Sequence, residues 1–203
     1  MSKFNLIVAE GHWSNYSNHS VKALFDLLSD LLRHNSHAYK YTQFTDPNAF
    51  DSCVKQLTNT THKYLYIGSH GSSKGIFGSH SAKLLSYTKI KNRIPTMKGL
   101  YLGTCLFGEP NTLRSFVGET GLVWCAGYRK SVDWIDSSAL DLAFWKIFQT
   151  YNTQQGRKVE QSMIESTIKE LKSKYASLIL DLGFNIALWR TDENGQPFVD
   201  LAF

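Results

Sequence analysis

Four short segments of this chain are apolar residue after residue: FNLIVA (4–9), YLYIGS (64–69), GLYLGT (99–104) and GLVWCA (121–126). A strand that does not alternate apolar with polar has no face to give to water. Such strands fold only inside a sheet that is covered on both sides, which in practice means a parallel sheet between two layers of helices. The intervening segments supply those layers. SVKALFDLLSDLLRH (20–34) places Val21, Leu24, Phe25, Leu28, Leu31 and Leu32 at helical spacing, with Ser20 as its N-cap. Asp46 and Pro47 start a second helix running to about Leu57. Ser137 is the expected N-cap of a helix carrying Leu140, Ala143, Phe144, Ile147, Phe148 and Tyr151, and another helix follows with Met163, Ile164, Ile168, Leu171 and Tyr175.

AYKYTQF (38–44) alternates aromatic with polar and is expected at a sheet edge. Between the third and fourth strands lies a polar connector with three glycines, ending in a short helix or turn near 79–86. The tail, NIALWR, then DENG, then PFVDLAF, reads as a terminal hairpin around Asn194-Gly195. The fold class is therefore α/β, a sandwich around a mostly parallel central sheet with helices on both faces. With 203 residues, 42% of them hydrophobic and 19% charged, the chain reads as a single folded domain over 1–203.

Composition removes several functions. The net charge of +5 is spread along the chain, and its densest stretch, from Lys83 to Lys98, lacks the interleaved aromatics of a base-stacking surface, so no nucleic-acid partner is expected. Cys53, Cys105 and Cys125 are too few for a disulfide framework and lack zinc-site spacing, which favours a reducing compartment. MSKFNLIVAEGHW is neither a secretory signal nor a membrane span, so the expected location is intracellular, in the cytoplasm, with no membrane partner. GHWSNYSNHS after the first strand contains neither GxGxxG nor GK[ST], which argues against a nucleotide cofactor. His12, His19, His70 and His80 show no i, i+4 pairing on a helix and no accompanying carboxylate motif, so neither a metal nor any other cofactor is expected.

In open parallel sheets the ligand crevice lies beyond the carboxyl ends of the strands. The residues there are Glu10, Gly11 and His12, then Ser69, His70 and Gly71, then Thr104 and Cys105, then 127–133. A His-Gly at one strand end and a Cys at another, 35 residues later, supply a thiol nucleophile and its acid/base. Gly71 lets backbone approach a substrate, so the Gly71 and Cys105 N–H groups are candidate oxyanion donors. Cys53 and Cys125 read as packing residues, His12 as a turn residue near the cleft, and Trp124 and Trp134 as core or cleft wall.

YLYIGSHGSSKGI followed by GLYLGTCLFGE resembles the caspase-like cysteine peptidases, the clan of caspases, gingipain-like and clostripain-like peptidases, separase and CHAT-domain proteases. The flavour is closest to the CHAT-domain proteases, through GLVWCAGYRKSVDWIDSSALDLAFWKIF, and the likeness spans roughly residues 60–150. Gly103-Thr104 stands where caspases have Gln-Ala, and the His-to-Cys interval is shorter than the roughly 50 residues of caspases, which marks a divergent member. The resemblance implies a caspase-like three-layer sandwich with His70 as acid/base and Cys105 as nucleophile. It also implies substrate selection by charges on the loops after the first and fifth strands. Those loops carry Glu10, Asp133 and Asp136, which would bind an Arg or Lys before the scissile bond, while Arg129 in the same loop would act in the opposite sense; alternatively Asp133 or Asp136 merely caps the helix that follows. The expected partner is a protein or peptide substrate. With no long Asp-rich linker to cut between Cys105 and the fifth strand, control is expected from an activating protein partner, a ligand or oligomerisation. The alternative reading is an inactive caspase-like scaffold that binds a protein partner.

Overall fold

A computed structural model of the chain describes residues 5–13, 19–31, 39–58, 63–77, 84–94, 97–154 and 160–203. Its centre is a seven-stranded sheet built from β1 (Leu6–Gly11), β2 (Tyr39–Phe44), β3 (Tyr64–Gly68), β7 (Gly99–Gly103), β8 (Trp124–Tyr128), β9 (Phe184–Thr191) and β10 (Pro197–Leu201). The strand order is β10-β9-β8-β7-β3-β1-β2. From β8 to β2 the neighbours are parallel, and β9 and β10 add an antiparallel hairpin at the other edge.

Two helical layers cover the sheet. α1 (Lys22–Leu31), α5 (Trp134–Gln154), α6 (Glu160–Lys174) and α7 (Ala176–Leu182) pack on one face, and α2 (Pro47–Thr58), α3 (Tyr87–Lys91) and α4 (Pro110–Thr120) on the other. The apolar runs conceal an alternation of kind. Tyr64, Tyr66, Tyr101, Trp124 and Tyr128 all face α1 and α5–α7, whereas Leu65, Ile67, Leu100, Leu102 and Cys125 face α2–α4. Period-two geometry therefore sorts aromatics to one layer and smaller side chains to the other.

The α/β sandwich, the parallel centre and the terminal hairpin agree with the sequence reading, and three details differ. The strand expected at 121–126 runs from Trp124 to Tyr128, because Gly121, at φ +72°, ends α4 in the left-handed conformation that glycine tolerates. α5 begins at Trp134, three residues before the expected cap. Asp133 caps it through Oδ1, which accepts from the N–H groups of Ile135 (2.7 Å) and Asp136 (3.2 Å), while the Ser137 hydroxyl sits inside the helix and donates to the Asp133 carbonyl at 2.6 Å. The glycine-bearing connector forms a small antiparallel sheet, β4 (His70–Ser72), β5 (Gly75–Phe77) and β6 (Leu84–Ser86), followed by α3. Residues 79–83 of the expected turn, with Phe4, Leu32 and His80, lie outside the described residues. Among the described residues no helix is long and apolar enough to cross a membrane.

Candidate active site

Register brings His70 and Cys105 together. Gly68 at the end of β3 pairs with Gly103 at the end of β7, and each of the two side chains lies two residues further on. Parallel neighbours are about 4.8 Å apart, so the two loops leave the sheet side by side. Gly71 makes the approach possible. A Cβ there would sit 2.3 Å from the Cys105 carbonyl oxygen and 2.9 Å from the Thr104 Cβ, closer than any side chain can come. The chain then turns sharply at Leu106, which has φ +62° without being glycine. Backbone strain of this kind, about 1–2 kcal/mol, persists where packing over-determines the conformation, here at the residue after the candidate nucleophile.

Both side chains line one cavity of about 430 Å³ between the ends of β3 and β7 and the start of α5. Cys105 is partly buried; its Sγ accepts from the Val132 N–H at 3.5 Å and the Ser131 hydroxyl at 3.8 Å. His70 is exposed, with Nε2 2.9 Å from the Trp13 carbonyl oxygen. A carbonyl only accepts, so Nε2 carries a hydrogen and Nδ1 is left as the nitrogen free to exchange a proton. No hydrogen bond joins His70 to Cys105 among the described residues. The His70 ring also meets the Trp13 indole edge-on (5.2 Å, 79°), Trp13 meets Trp134 edge-on (4.9 Å, 89°), and His19 stacks on Trp134 (5.4 Å, 28°). These rings make an aromatic rim to the cavity.

The acidic residues expected to meet substrate are placed elsewhere. Glu10 is 1% exposed and outside the cavity lining. Its Oε1 accepts from the Trp13 indole N–H (2.6 Å) and the Val21 N–H (2.7 Å), and its Oε2 from the hydroxyls of Ser20 (2.7 Å) and Tyr41. Four donors fill the carboxylate and leave nothing for a ligand. Its effect on the site is indirect, because it pins Trp13, whose carbonyl orients His70. Asp133 is the exposed cap of α5, Asp136 is exposed on the first turn, and neither lines the cavity. Arg129 lies against a separate hollow beside α7, His12 donates its backbone N–H to Phe44, Trp124 is core, and Trp134 is cleft wall.

The sequence reading missed Asp141. This side chain, 3% exposed, reaches the cavity from the second turn of α5 and accepts from Tyr66 at Oδ2 (2.6 Å) and from Tyr101 (2.5 Å) and Tyr128 at Oδ1. Burial pushes its carboxyl up to about 6, opposed by the three phenols. The signal was present: one acid in the apolar stripe of a helix, with tyrosines on the same face of three adjacent strands. Gly103 makes room for the arrangement, since a Cβ there would lie 2.1 Å from the Tyr66 phenol oxygen. Thr104 also belongs to the lining, and its buried Oγ1 has no hydrogen-bond partner among the described residues. No group of three or more His, Cys, Asp or Glu among the described residues is arranged to hold a metal ion.

Sheet order, helical layers and strand-end placement together define a caspase-like three-layer α/β sandwich. Among solved structures the chain is similar to the complex of the pro- and mature domains of RgpB from Porphyromonas gingivalis, with TM-score 0.51 and 11% identity, covering 87% of this chain and 44% of that one. At that identity the likeness shows the fold, and the chain spans less than half of its structural neighbour. No family model matches the sequence, and no curated protein does.

Proposed function

We propose that this protein is a cysteine endopeptidase in which Cys105 is the nucleophile and His70 the general acid/base, acting on a protein or peptide substrate. The observation that carries this reading is the delivery of His70 and Cys105 to one cavity by two paired parallel strands, across a gap that only glycine at position 71 permits. The resemblance of YLYIGSHGSSKGI and GLYLGTCLFGE to the caspase-like cysteine peptidases supports it, and the fold is compatible with it.

In this mechanism the Cys105 thiol gives its proton to Nδ1 of His70, the resulting thiolate attacks the scissile carbonyl carbon, and the negative charge on its oxygen is met by the N–H groups of Gly71 and Cys105. Nδ1 of His70, turned by the Nε2 contact to Trp13, protonates the leaving amine as the C–N bond breaks, leaving a thioester. Water, deprotonated by His70, then attacks the thioester, releasing the carboxylic acid and the Cys105 thiol. The His70–Cys105 hydrogen bond missing from the free enzyme is no obstacle, since such contacts tighten when substrate is bound. Cleavage follows a basic residue, whose charge is met by Asp141 in the cavity and not by Glu10, Asp133 or Asp136, which lie outside its lining.

The test is hydrolysis of fluorogenic peptides by wild type, Cys105→Ala and His70→Ala. Each substitution is expected to lower kcat/KM by about a thousand-fold or more while the fold, followed by circular dichroism, persists. Retention of the protein's biological effect in Cys105→Ala would instead establish the inactive scaffold.

A further inference from the structure

The cavity contains a buried acid with a defined open side. Asp141 Oδ1 already accepts two hydroxyls, from Tyr101 and Tyr128, and neither tyrosine lines the cavity. Oδ2 accepts one, from Tyr66, which does line it. The carboxylate therefore turns its saturated oxygen to the core and its unsaturated one to the cavity. No basic side chain among the described residues forms an ion pair with it. A buried carboxylate without a counter-charge is costly, and a cation entering the cavity would remove that cost.

We propose that this cavity receives the side chain of a lysine, in preference to arginine, at the residue before the scissile bond, with Asp141 Oδ2 as the acceptor of its ammonium. The inference rests on the peptidase reading above. Its chemistry follows from which lone pairs are open. Arginine binds carboxylates best as a planar fork across both oxygens, and here Oδ1 is occupied twice over. An ammonium is a point charge with three donors. The cavity offers it Asp141 Oδ2 and the Tyr66 phenol oxygen, whose hydrogen is already given to Asp141. Trp13 and Trp134 supply apolar wall for the lysine stem. A substrate carboxylate in the same place would meet Asp141 without a counter-ion, so acidic residues are rejected.

The experiment uses labelled peptides identical except for Lys, Arg, norleucine or Glu at one position. Their binding to Cys105→Ala is measured by fluorescence anisotropy, and their cleavage by wild type is followed kinetically. Lys is expected to bind at least about thirty-fold tighter than norleucine, the scale of losing one partner of a buried charge pair. It should exceed Arg by about ten-fold. Adding Asp141→Asn should bring Lys and norleucine within about two-fold, and Tyr66→Phe should narrow the gap in part. Norleucine equal to Lys, or Arg equal to or better than Lys, overturns the proposal, and this comparison needs no variant of the pocket. Lys-selective binding without cleavage by wild type would keep the pocket and overturn the peptidase. Cleavage that is lost in Cys105→Ala but indifferent to Lys would do the reverse.

Discussion

Asp141→Asn should stabilise the protein at neutral pH, by an amount that shrinks as the pH falls. The wild-type carboxyl titrates at about 6 in the folded chain against an ordinary value of 3.8. At about 1.36 kcal/mol per pH unit that gap is about 3 kcal/mol. The sign follows from proton binding. The folded state holds this proton more tightly than the unfolded one, so the associated stability is complete below 3.8 and is lost as the pH rises through about 6. About 2 kcal/mol of the loss falls between pH 4.5 and pH 7.5. Asparagine keeps an oxygen for Tyr101 and Tyr128 and presents an N–H to the Tyr66 oxygen, whose own hydrogen then turns to the cavity that Tyr66 lines, so the charge is removed without burying an unpaired phenol. The lowered carboxyls of Asp26, Glu160 and Glu170 act in the opposite direction, but they are common to both proteins and cancel in the difference. Urea unfolding followed by tryptophan fluorescence measures it. With a slope of about 3 kcal/mol/M, the midpoint gap between variant and wild type should widen by about 0.7 M from pH 4.5 to pH 7.5. A gap that stays constant, or widens towards acid, would refute a buried carboxyl held above its ordinary range.

Two further substitutions test the architecture. Gly71→Ala puts a methyl 2.3 Å from a backbone oxygen that cannot move aside, so the two strand ends must part; kcat/KM should fall by about a hundred-fold. Gly118→Ala in α4, where the new methyl meets nothing within 4 Å, should raise thermal stability by about 0.5–1 kcal/mol and serves as the control. Glu10→Gln replaces an acceptor of four hydrogen bonds by one that also donates, costing about 2–3 kcal/mol in urea unfolding. Because Glu10 orients His70 only through Trp13, the same variant should lower kcat more than it changes KM; an altered preference for Lys would instead put Glu10 in contact with substrate.

Much of the fold is legible in the chain because the relevant physics is local. A run such as YLYIG cannot be a solvent-facing strand, and the 3.6-residue spacing of Leu140, Phe144, Ile147 and Phe148 cannot be a strand at all. The errors fall where two local signals compete. Gly121 looks like the start of a strand but ends a helix, and Ser137 looks like a cap although Asp133 stands one turn earlier. In the connector after Ser69, the pairing of Gly71 with Ile76 and of Ile76 with Leu85 creates a small sheet that no periodicity announces.

Sequence alone determined that the sheet is parallel at its centre, that chemistry belongs at its carboxyl edge, and that His70 and Cys105 stand there. Those are consequences of apolar pattern and chain direction. Which acid lines the cavity was decided only by tertiary structure. Glu10, Asp133, Asp136 and Asp141 are equivalent as letters, and they differ in what surrounds them: four donors around the first, solvent at the next two, and three phenols with one open lone pair at the last. A carboxylate's role is set by the hydrogen bonds and burial that its neighbours impose. Those neighbours come from β3, β7, β8 and α5, segments that only folding brings together.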